Sequence, residues 1–189
     1  PAYRDEILSD TVMVYGNVDE VELVLNGKTI RRQTADKGPD SDYIPVPNGG
    51  NGKNLHFPPF TFYGVPKERG VLKAVGYHQG KKVAEYTVKT PGVPERLDIT
   101  YFESGKPATK NDLLIVYVRM LDKQGVLCPV NGIPVELSVQ GGEIVGPTSY
   151  PLEAGVASFL VRTGEISKIN INATGKGFST RKSLKVGKE

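Results

Sequence analysis

Apolar and polar residues alternate along much of the chain, in short runs that glycine and proline separate. In the first half, residues 11–15 and 21–25 place their apolar side chains largely at every second position. A period of two puts these side chains on one face of an extended strand. Asn26-Gly27 follows at once, and this dipeptide readily takes the positive φ angles of a type I′ turn, so residues 21–30 are predicted to form a β-hairpin.

Two further elements are predicted before residue 90. Residues 71–77, a turn through Gln79-Gly80, and residues 82–88 indicate a second hairpin. Residues 57–63 place four aromatic side chains around two prolines. Because proline cannot donate to a strand ladder, this segment is predicted to be an edge strand. Residues 36–54 are rich in Asp, Gly, Asn and Pro and predict a long loop.

The segment Thr90–Pro94 is the best candidate for a domain boundary. A chain of 189 residues is too long for one ordinary β-sandwich, and this Pro/Gly cluster predicts a short, stiff linker. We therefore expect two domains, residues 1–91 and residues 95–189.

Alternation resumes beyond the linker and predicts six more strands, in which Val116, Val118 and Met120 share one face. These strands are residues 96–101, 114–122, 135–139, 156–161, 169–173 and 178–186, with breaks at Gly141-Gly142 and Gly146-Pro147. No helical stripe interrupts them. The pattern therefore predicts an all-β fold with a sandwich of antiparallel sheets in each half.

Composition agrees with such a fold and excludes several classes of partner. Apolar residues make up 38% of the chain, charged residues 24%, and there are 22 Gly and 14 Pro. The net charge of +3 is spread over isolated basic doublets, which argues against a nucleic-acid or anionic-membrane partner. The sequence contains no apolar run long enough to span a membrane. It begins at Pro1 without a signal peptide, so we expect any export signal to precede it.

The sequence offers little reactive chemistry. Cys128 is the single cysteine, which forbids an internal disulfide, and its apolar neighbours predict a buried side chain rather than a reactive thiol. His56 and His78 are the two histidines, and neither lies in a recognisable catalytic motif. His78 is expected to be an exposed turn residue. A pair of carboxylates for glycoside hydrolysis has no support in the sequence.

Metal, cofactor and glycan sites are not expected. Asp36, Asp40 and Asp42 come nearest to a calcium loop but lack its spacing, and a solvated acidic loop is the preferred interpretation. We predict no cofactor. The glycosylation sequon at Asn172 lies in a predicted strand and is discounted.

Sugar binding is the remaining candidate activity, because aromatic rings can stack on pyranose faces. We single out Phe57, Phe60, Phe62 and Tyr63 as a candidate carbohydrate or interdomain contact, with Tyr43 near them. The preferred interpretation is that this proline-rich aromatic segment plugs a sandwich or forms an interdomain contact, since aromatic side chains dominate cores and interfaces.

Three segments resemble the C-terminal region of glycoside hydrolase family 2 enzymes of the bacterial β-galactosidase type. They are residues 12–28 (VMVYGNVDEVELVLNGK), 70–77 (GVLKAVGY) and 89–94 (KTPGVP). In that family the pattern marks an immunoglobulin-like domain placed after the catalytic barrel. Gly16 stands where Ser is commoner, and residues 48–54 form an insertion, so loop contacts are not transferred.

The second half is similar to the terminal sandwich of that family, which itself resembles invasin-type immunoglobulin-like domains. The resemblance rests on residues 112–122, 135–139, 142–146, 153–157 and 172–174. Together the two resemblances imply two tandem immunoglobulin-like β-sandwiches. The catalytic glutamates of the family belong to its barrel, so none is transferred to this chain.

The resemblance implies a non-catalytic accessory region of a secreted bacterial hydrolase of carbohydrate metabolism, periplasmic or extracellular. The catalytic barrel of the same polypeptide is its implied partner, with polysaccharide as a second candidate. Two alternatives stay open. A carbohydrate-binding module predicts sugar affinity, and an adhesin-like stalk predicts further similar repeats in the natural polypeptide.

Overall fold

The described part of the chain consists of β-strands and the loops that join them. The computed structural model describes residues 10–36, 58–101 and 107–187. Within these ranges there is no helix capable of crossing a membrane. The chain divides into two units, Pro1–Thr90 and Pro91–Glu189, and each is an immunoglobulin-like sandwich. The predicted all-β fold class is confirmed.

The first unit contains a four-stranded antiparallel sheet in the order β3-β2-β5-β6 and a two-stranded sheet, β1-β4. The strands are β1 (Val12–Val14), β2 (Glu20–Leu25), β3 (Lys28–Thr34), β4 (Phe60–Phe62), β5 (Val71–His78) and β6 (Lys81–Lys89).

Both predicted hairpins of this unit are confirmed, and their turns have the conformation that the sequence indicates. Asn26 and Gly27 have φ angles of 51° and 81°, and Gln79 and Gly80 have 49° and 74°. Two successive positive φ angles define a type I′ turn, whose twist matches that of the flanking strands.

The core of the first unit lies between the two sheets. Val21 and Leu23 are buried on one face of β2, and they cluster with Phe60, Phe62 and Val65. The predicted edge strand at 57–63 is shorter in the structure, because β4 spans only the three residues that pair with β1. The predicted loop at 36–54 lies outside the described residues beyond Asp36.

The second unit contains two four-stranded antiparallel sheets, β10-β12-β8-β7 and β11-β9-β13-β14. The strands are β7 (Pro94–Tyr101), β8 (Leu113–Asp122), β9 (Pro134–Gln140), β10 (Gly142–Ile144), β11 (Ser149–Pro151), β12 (Val156–Thr163), β13 (Lys168–Gly175) and β14 (Phe178–Lys185).

Alternation along the strands builds the core of this unit. Val116, Val118 and Met120 are all 0% exposed, which confirms the predicted shared face. Ile169 and Ile171 of β13 belong to the same core cluster.

The sequence prediction placed breaks at Gly141-Gly142 and Gly146-Pro147 and did not include the short strands β10 and β11. The second break is confirmed, because Gly146 and Pro147 lie between these two strands, whereas the first is wrong at Gly142. Gly142 begins β10 and pairs with Thr163 of β12. A Cβ atom at Gly142 would lie 2.4 Å from the carbonyl oxygen of Arg162, so a close approach of two strands requires this glycine. The glycine that suggested a break is therefore part of the sheet.

Candidate functional site

The aromatic segment that predicted a sugar or interdomain contact supplies much of the first core. Phe60 is 0% exposed and Phe62 is 1% exposed, whereas Tyr63 is 42% exposed. Phe57 and Tyr43 lie outside the described residues. Because a sugar must reach the face of a ring, the buried Phe60 and Phe62 offer no stacking surface in this structure.

Hydrogen bonds hold β4 in this position. Thr61 donates its backbone amide to Oδ1 of Asp36 at 3.1 Å, and its hydroxyl hydrogen bonds to Oδ2 of the same carboxylate. The Asp36 amide donates to the carbonyl of Pro59 at 2.8 Å, and Nε2 of Gln33 donates to the carbonyl of Thr61 at 2.9 Å. The end of β3 and the residues that follow it therefore fix the edge of β4 that faces away from β1.

An exposed surface remains on the side of the β1-β4 sheet that faces away from the core. Val12 and Val14 pack against the core, so Met13 between them points outward and is 44% exposed. Tyr15 follows the end of β1 and is 70% exposed. Tyr63 follows the end of β4, and the two strands are antiparallel.

We call Tyr15, Met13 and Tyr63 the β1-β4 outer surface. Its two tyrosines lie at opposite ends of the sheet, and rings with this exposure can contact a sugar or another protein surface. The sequence prediction included Tyr63 but missed Met13 and Tyr15, which lie 48 or more positions earlier in the chain. The alternation of β1 is the signal that places Met13 outward.

A polar network covers the opposite face of the large sheet of the first unit. Glu22 accepts hydrogen bonds from the Thr29 hydroxyl at 2.6 Å and the Tyr77 hydroxyl at 2.7 Å. These bonds lower the pKa of Glu22, with Thr29 as the larger cause, and the bond to Glu22 raises the pKa of Tyr77. The Arg32 guanidinium lies 3.7 Å above the Tyr77 ring and 2.6 Å from Glu20. The charged groups of this polar network are therefore paired with other members of the network.

His78 is the last residue of β5, directly before the turn at Gln79-Gly80, and its side chain is exposed, as predicted. Its Nδ1 is 3.1 Å from Oδ1 of Asp19, and Oδ2 of Asp19 accepts the Gln79 amide at 2.7 Å. The hydrogen bond from Gln79, followed by that from His78, lowers the pKa of Asp19. Both side chains are more than half exposed, so the pair stabilises a hairpin turn. His56 lies outside the described residues.

Cys128 is buried, as its apolar neighbours predict. It is 2% exposed, and its Sγ lies 3.7 Å from the carbonyl oxygens of Gly92 and Val126. Burial, together with the nearby Asp122 carboxylate, raises the pKa of the thiol. Since the thiolate is the nucleophilic form, this environment disfavours reactivity.

No candidate metal site is found in the part of the chain that the structure describes. No group of three His, Cys, Asp or Glu side chains converges there. Asp36 is engaged with Thr61, and Asp40 and Asp42 are outside the described residues. Asn172 lies within β13, as the sequence predicts, with Nδ2 3.5 Å from the Ser138 hydroxyl.

Comparison with known proteins connects both units to glycosidases. Residues 9–84 match a family model described as a domain of unknown function, DUF4982. A β-galactosidase from Thermoanaerobacter pseudethanolicus is 29% identical over 175 residues, which are 86% of this chain and 22% of that protein. A β-galactosidase from Rhizobium radiobacter is 30% identical over 129 residues, which are 67% of this chain and 92% of that sequence. The chain belongs to the same family as these β-galactosidases.

Solved structures of family 2 proteins share the fold. A family 2 member from Bacteroides cellulosilyticus superimposes with a TM-score of 0.71 at 25% identity, over 92% of this chain and 24% of that protein. A family 2 β-glucuronidase superimposes with a TM-score of 0.74 at 23% identity, over 96% of this chain and 19% of that protein. The chain thus belongs to glycoside hydrolase family 2 and represents a C-terminal region of such an enzyme. It covers 24% and 19% of these two longer proteins.

Proposed function

We propose that this chain is a non-catalytic accessory region of a β-galactosidase-like glycoside hydrolase and that it scaffolds the catalytic barrel of the same polypeptide. One observation carries the proposal. The alignment with the Thermoanaerobacter β-galactosidase covers 86% of this chain, yet it accounts for only 22% of that enzyme. An eight-stranded β/α barrel takes roughly 250 residues, more than this chain contains. The catalytic carboxylates therefore belong to another part of the polypeptide.

The hydrogen bonds of the described acidic residues support a scaffolding role. Asp19 holds a hairpin turn, Glu22 joins two neighbouring strands, and Asp122 closes a loop. These carboxylates accept bonds from backbone amides or neighbouring hydroxyl groups, which is how a side chain stabilises turns and strand pairs.

We also propose that the polypeptide is bacterial and exported. Detection of the natural protein in a periplasmic or culture-medium fraction rather than in the cytoplasm tests that.

Substitutions in the natural polypeptide test whether this region takes part in chemistry. We expect Asp19→Asn, Glu22→Gln and His78→Gln to leave kcat for a chromogenic β-galactoside within about twofold of the unmodified enzyme. A general acid or base contributes about a hundredfold or more to the rate. A loss of that size in any of the three variants, with thermal stability retained, would contradict the proposal.

Carbohydrate binding is a second candidate function, and the exposure of Tyr15 and Tyr63 favours it. Calorimetric titration of the chain with β-linked oligosaccharides tests it. If the rings stack on sugar, Tyr15→Ala and Tyr63→Ala should each weaken binding by about fivefold or more. Tyr86→Ala, at a 73% exposed position on β6, is the matched control. If no oligosaccharide binds, scaffolding is the only one of these two functions that remains.

An adhesin-like stalk is favoured only if the natural polypeptide carries further copies of these sandwiches in place of a barrel.

A further inference from the structure

Strand β8 of the second unit begins with a segment that is apolar on both faces, and its outward positions become charged only at Arg119. Residues Leu113–Val118 are apolar at every position. Leu114, Val116 and Val118 point into the core and are 8%, 0% and 0% exposed, whereas Leu113 and Ile115 are 51% and 44% exposed. In an antiparallel sheet with one solvated face, polar residues are expected at the outward positions. This segment of β8 instead has the sequence of a strand that is covered on both sides.

The exposed apolar positions continue across neighbouring strands. Ile115 lies directly opposite Leu160 of β12 in the strand register. The Val145 amide donates to the carbonyl of Leu160 at 2.8 Å, and Val145 is 37% exposed. We call Val145, Leu160, Ile115 and Leu113 the aliphatic row. Directly paired side chains on one sheet face form a continuous apolar surface.

Compensated charges border the aliphatic row. Arg162 lies opposite Leu113 and pairs with Glu143 on β10. Arg119 pairs with Asp98 across β8 and β7 at 2.5 Å. Each basic group therefore has an acidic partner within the same sheet. An apolar centre with a polar border is the usual arrangement of a protein interface, and this balanced border gives no preference for a charged ligand.

We propose that the aliphatic row docks against the part of the same polypeptide that lies outside residues 1–189, its catalytic barrel. This inference rests on the proposed function. The chain corresponds to 22% of the Thermoanaerobacter relative, so most of such a polypeptide is available as the covering surface. The barrel surface that meets the row is apolar and uncharged, because the row presents no unpaired charge.

The size of the row favours a tethered partner over a separate one. The exposed members of the row are Leu113, Ile115 and Val145, at 51%, 44% and 37%. Together they present on the order of 150 Å² of apolar area. A stable interface between separate proteins needs about 800 Å² from each partner. A contact within one polypeptide can be smaller, because the tether holds the two surfaces at an effective concentration of about 1 mM.

Carbene footprinting of the natural polypeptide and of the 189-residue chain tests the proposal directly. A photoactivated diazirine labels exposed side chains, and mass spectrometry of the peptide that contains Leu113–Val118 measures the extent. We expect labelling of Ile115 to be about fivefold or more lower in the natural polypeptide, as for a side chain in the centre of an interface. Equal labelling of the two proteins would overturn the proposal.

The substitution Ile115→Thr gives a second readout and keeps the β-branched side chain. It should lower the thermal midpoint of the natural polypeptide more than that of the 189-residue chain, because Ile115 is 44% exposed to solvent in the latter. Val83→Thr, at a 56% exposed position in the first unit, is the matched control. Equal losses from both substitutions would contradict the proposal. So would a dimer of the 189-residue chain that Ile115→Thr dissociates in analytical ultracentrifugation, since a second copy would then cover the row.

The length and activity of the natural polypeptide separate the two proposals. If it contains a barrel and hydrolyses a β-galactoside but Ile115 is labelled equally in both proteins, only the docking proposal fails. If it contains no barrel, the proposed function fails, and the docking proposal fails with it.

Discussion

The carboxylate of Asp122 accepts a hydrogen bond from the backbone amide of Gly92 at 2.7 Å, although 30 residues separate the two in sequence. The same side chain accepts the amides of Gln124 and Val126, each at 2.8 Å. Asp122 is 4% exposed. One side chain therefore closes the loop after β8 and holds the Pro/Gly segment that leads into β7.

This arrangement predicts a specific pH dependence of stability. The hydrogen bonds, with that from Gly92 as the largest cause, lower the pKa of Asp122 below the ordinary value of 3.8. A group whose pKa is depressed on folding stabilises the protein above its unfolded pKa, and that contribution is lost as the pH falls through the folded pKa. Asp122→Asn should therefore lower the urea midpoint of unfolding at pH 7, and the difference from the unmodified chain should narrow below pH 3.8.

Urea unfolding followed by circular dichroism from pH 2 to pH 7 measures this effect. Glu153→Gln, which changes an exposed carboxylate of the same unit, is the matched control. A difference between Asp122→Asn and the unmodified chain that stays constant over the whole range would show that the Asp122 charge does not contribute.

The buried position of Phe60 predicts that this ring stabilises the fold. Phe60 is 0% exposed in the first core, so Phe60→Ala should cost about 3–5 kcal/mol of unfolding free energy. Tyr63→Ala, three positions later and 42% exposed, should change it by less than about 1 kcal/mol. Hydrogen exchange of the β4 amides in increasing denaturant gives the unfolding free energy of this region and checks both variants. Similar costs for the two substitutions would contradict the placement of these side chains.

Much of the fold is predictable from sequence, because alternation along long strands and the residue types of tight turns are both local signals. Alternation predicts Val116, Val118 and Met120 on one face, and Asn26-Gly27 predicts a type I′ turn. The structure confirms both. In these segments backbone preference and burial favour the same conformation, so the pattern is reliable.

The remaining features depend on contacts between distant parts of the chain. Strand β10 has only three residues and begins at Gly142, so it is too short for an alternating pattern to predict it. Aromatic residues serve equally in cores and on binding surfaces, and only the pairing of β4 with β1 decides that Phe60 and Phe62 are buried. The exposed tyrosine at position 15 joins the candidate surface through the same pairing.

Gly70 is predicted to be indispensable at the start of β5. Its φ angle is 142°, and a Cβ atom there would lie 1.8 Å from Oδ1 of Asn26. That oxygen accepts the Val71 amide at 2.9 Å. Gly70→Ala should therefore cost more than about 1 kcal/mol, because it combines backbone strain with displacement of the Asn26 side chain.

Gly80→Ala is the matched control for this substitution. Gly80 also has a positive φ angle, 74°, but nothing lies within 4 Å of a Cβ atom there. Gly80→Ala should thus introduce backbone strain alone, and its loss of thermal stability should be smaller than that of Gly70→Ala. Equal losses in differential scanning calorimetry would mean that the contact with Asn26 is unimportant.

Cys128 is predicted to be unreactive in the folded chain. It is 2% exposed and its pKa is raised, so both access and the thiolate population are reduced. Its reaction with a disulfide reagent at pH 8 should be at least about tenfold slower than that of the same chain in concentrated urea. Absorbance of the released thiolate follows the reaction. Comparable rates in the two conditions would place the thiol on the surface.

Hydrolysis of a chromogenic β-galactoside by the 189-residue chain and by the natural polypeptide that contains it tests the central claim most directly. A non-catalytic accessory region predicts turnover by the natural polypeptide and none above background by the chain at equal molar concentration. Turnover by the purified chain, eliminated by substitution of one of its own carboxylates, would contradict the account.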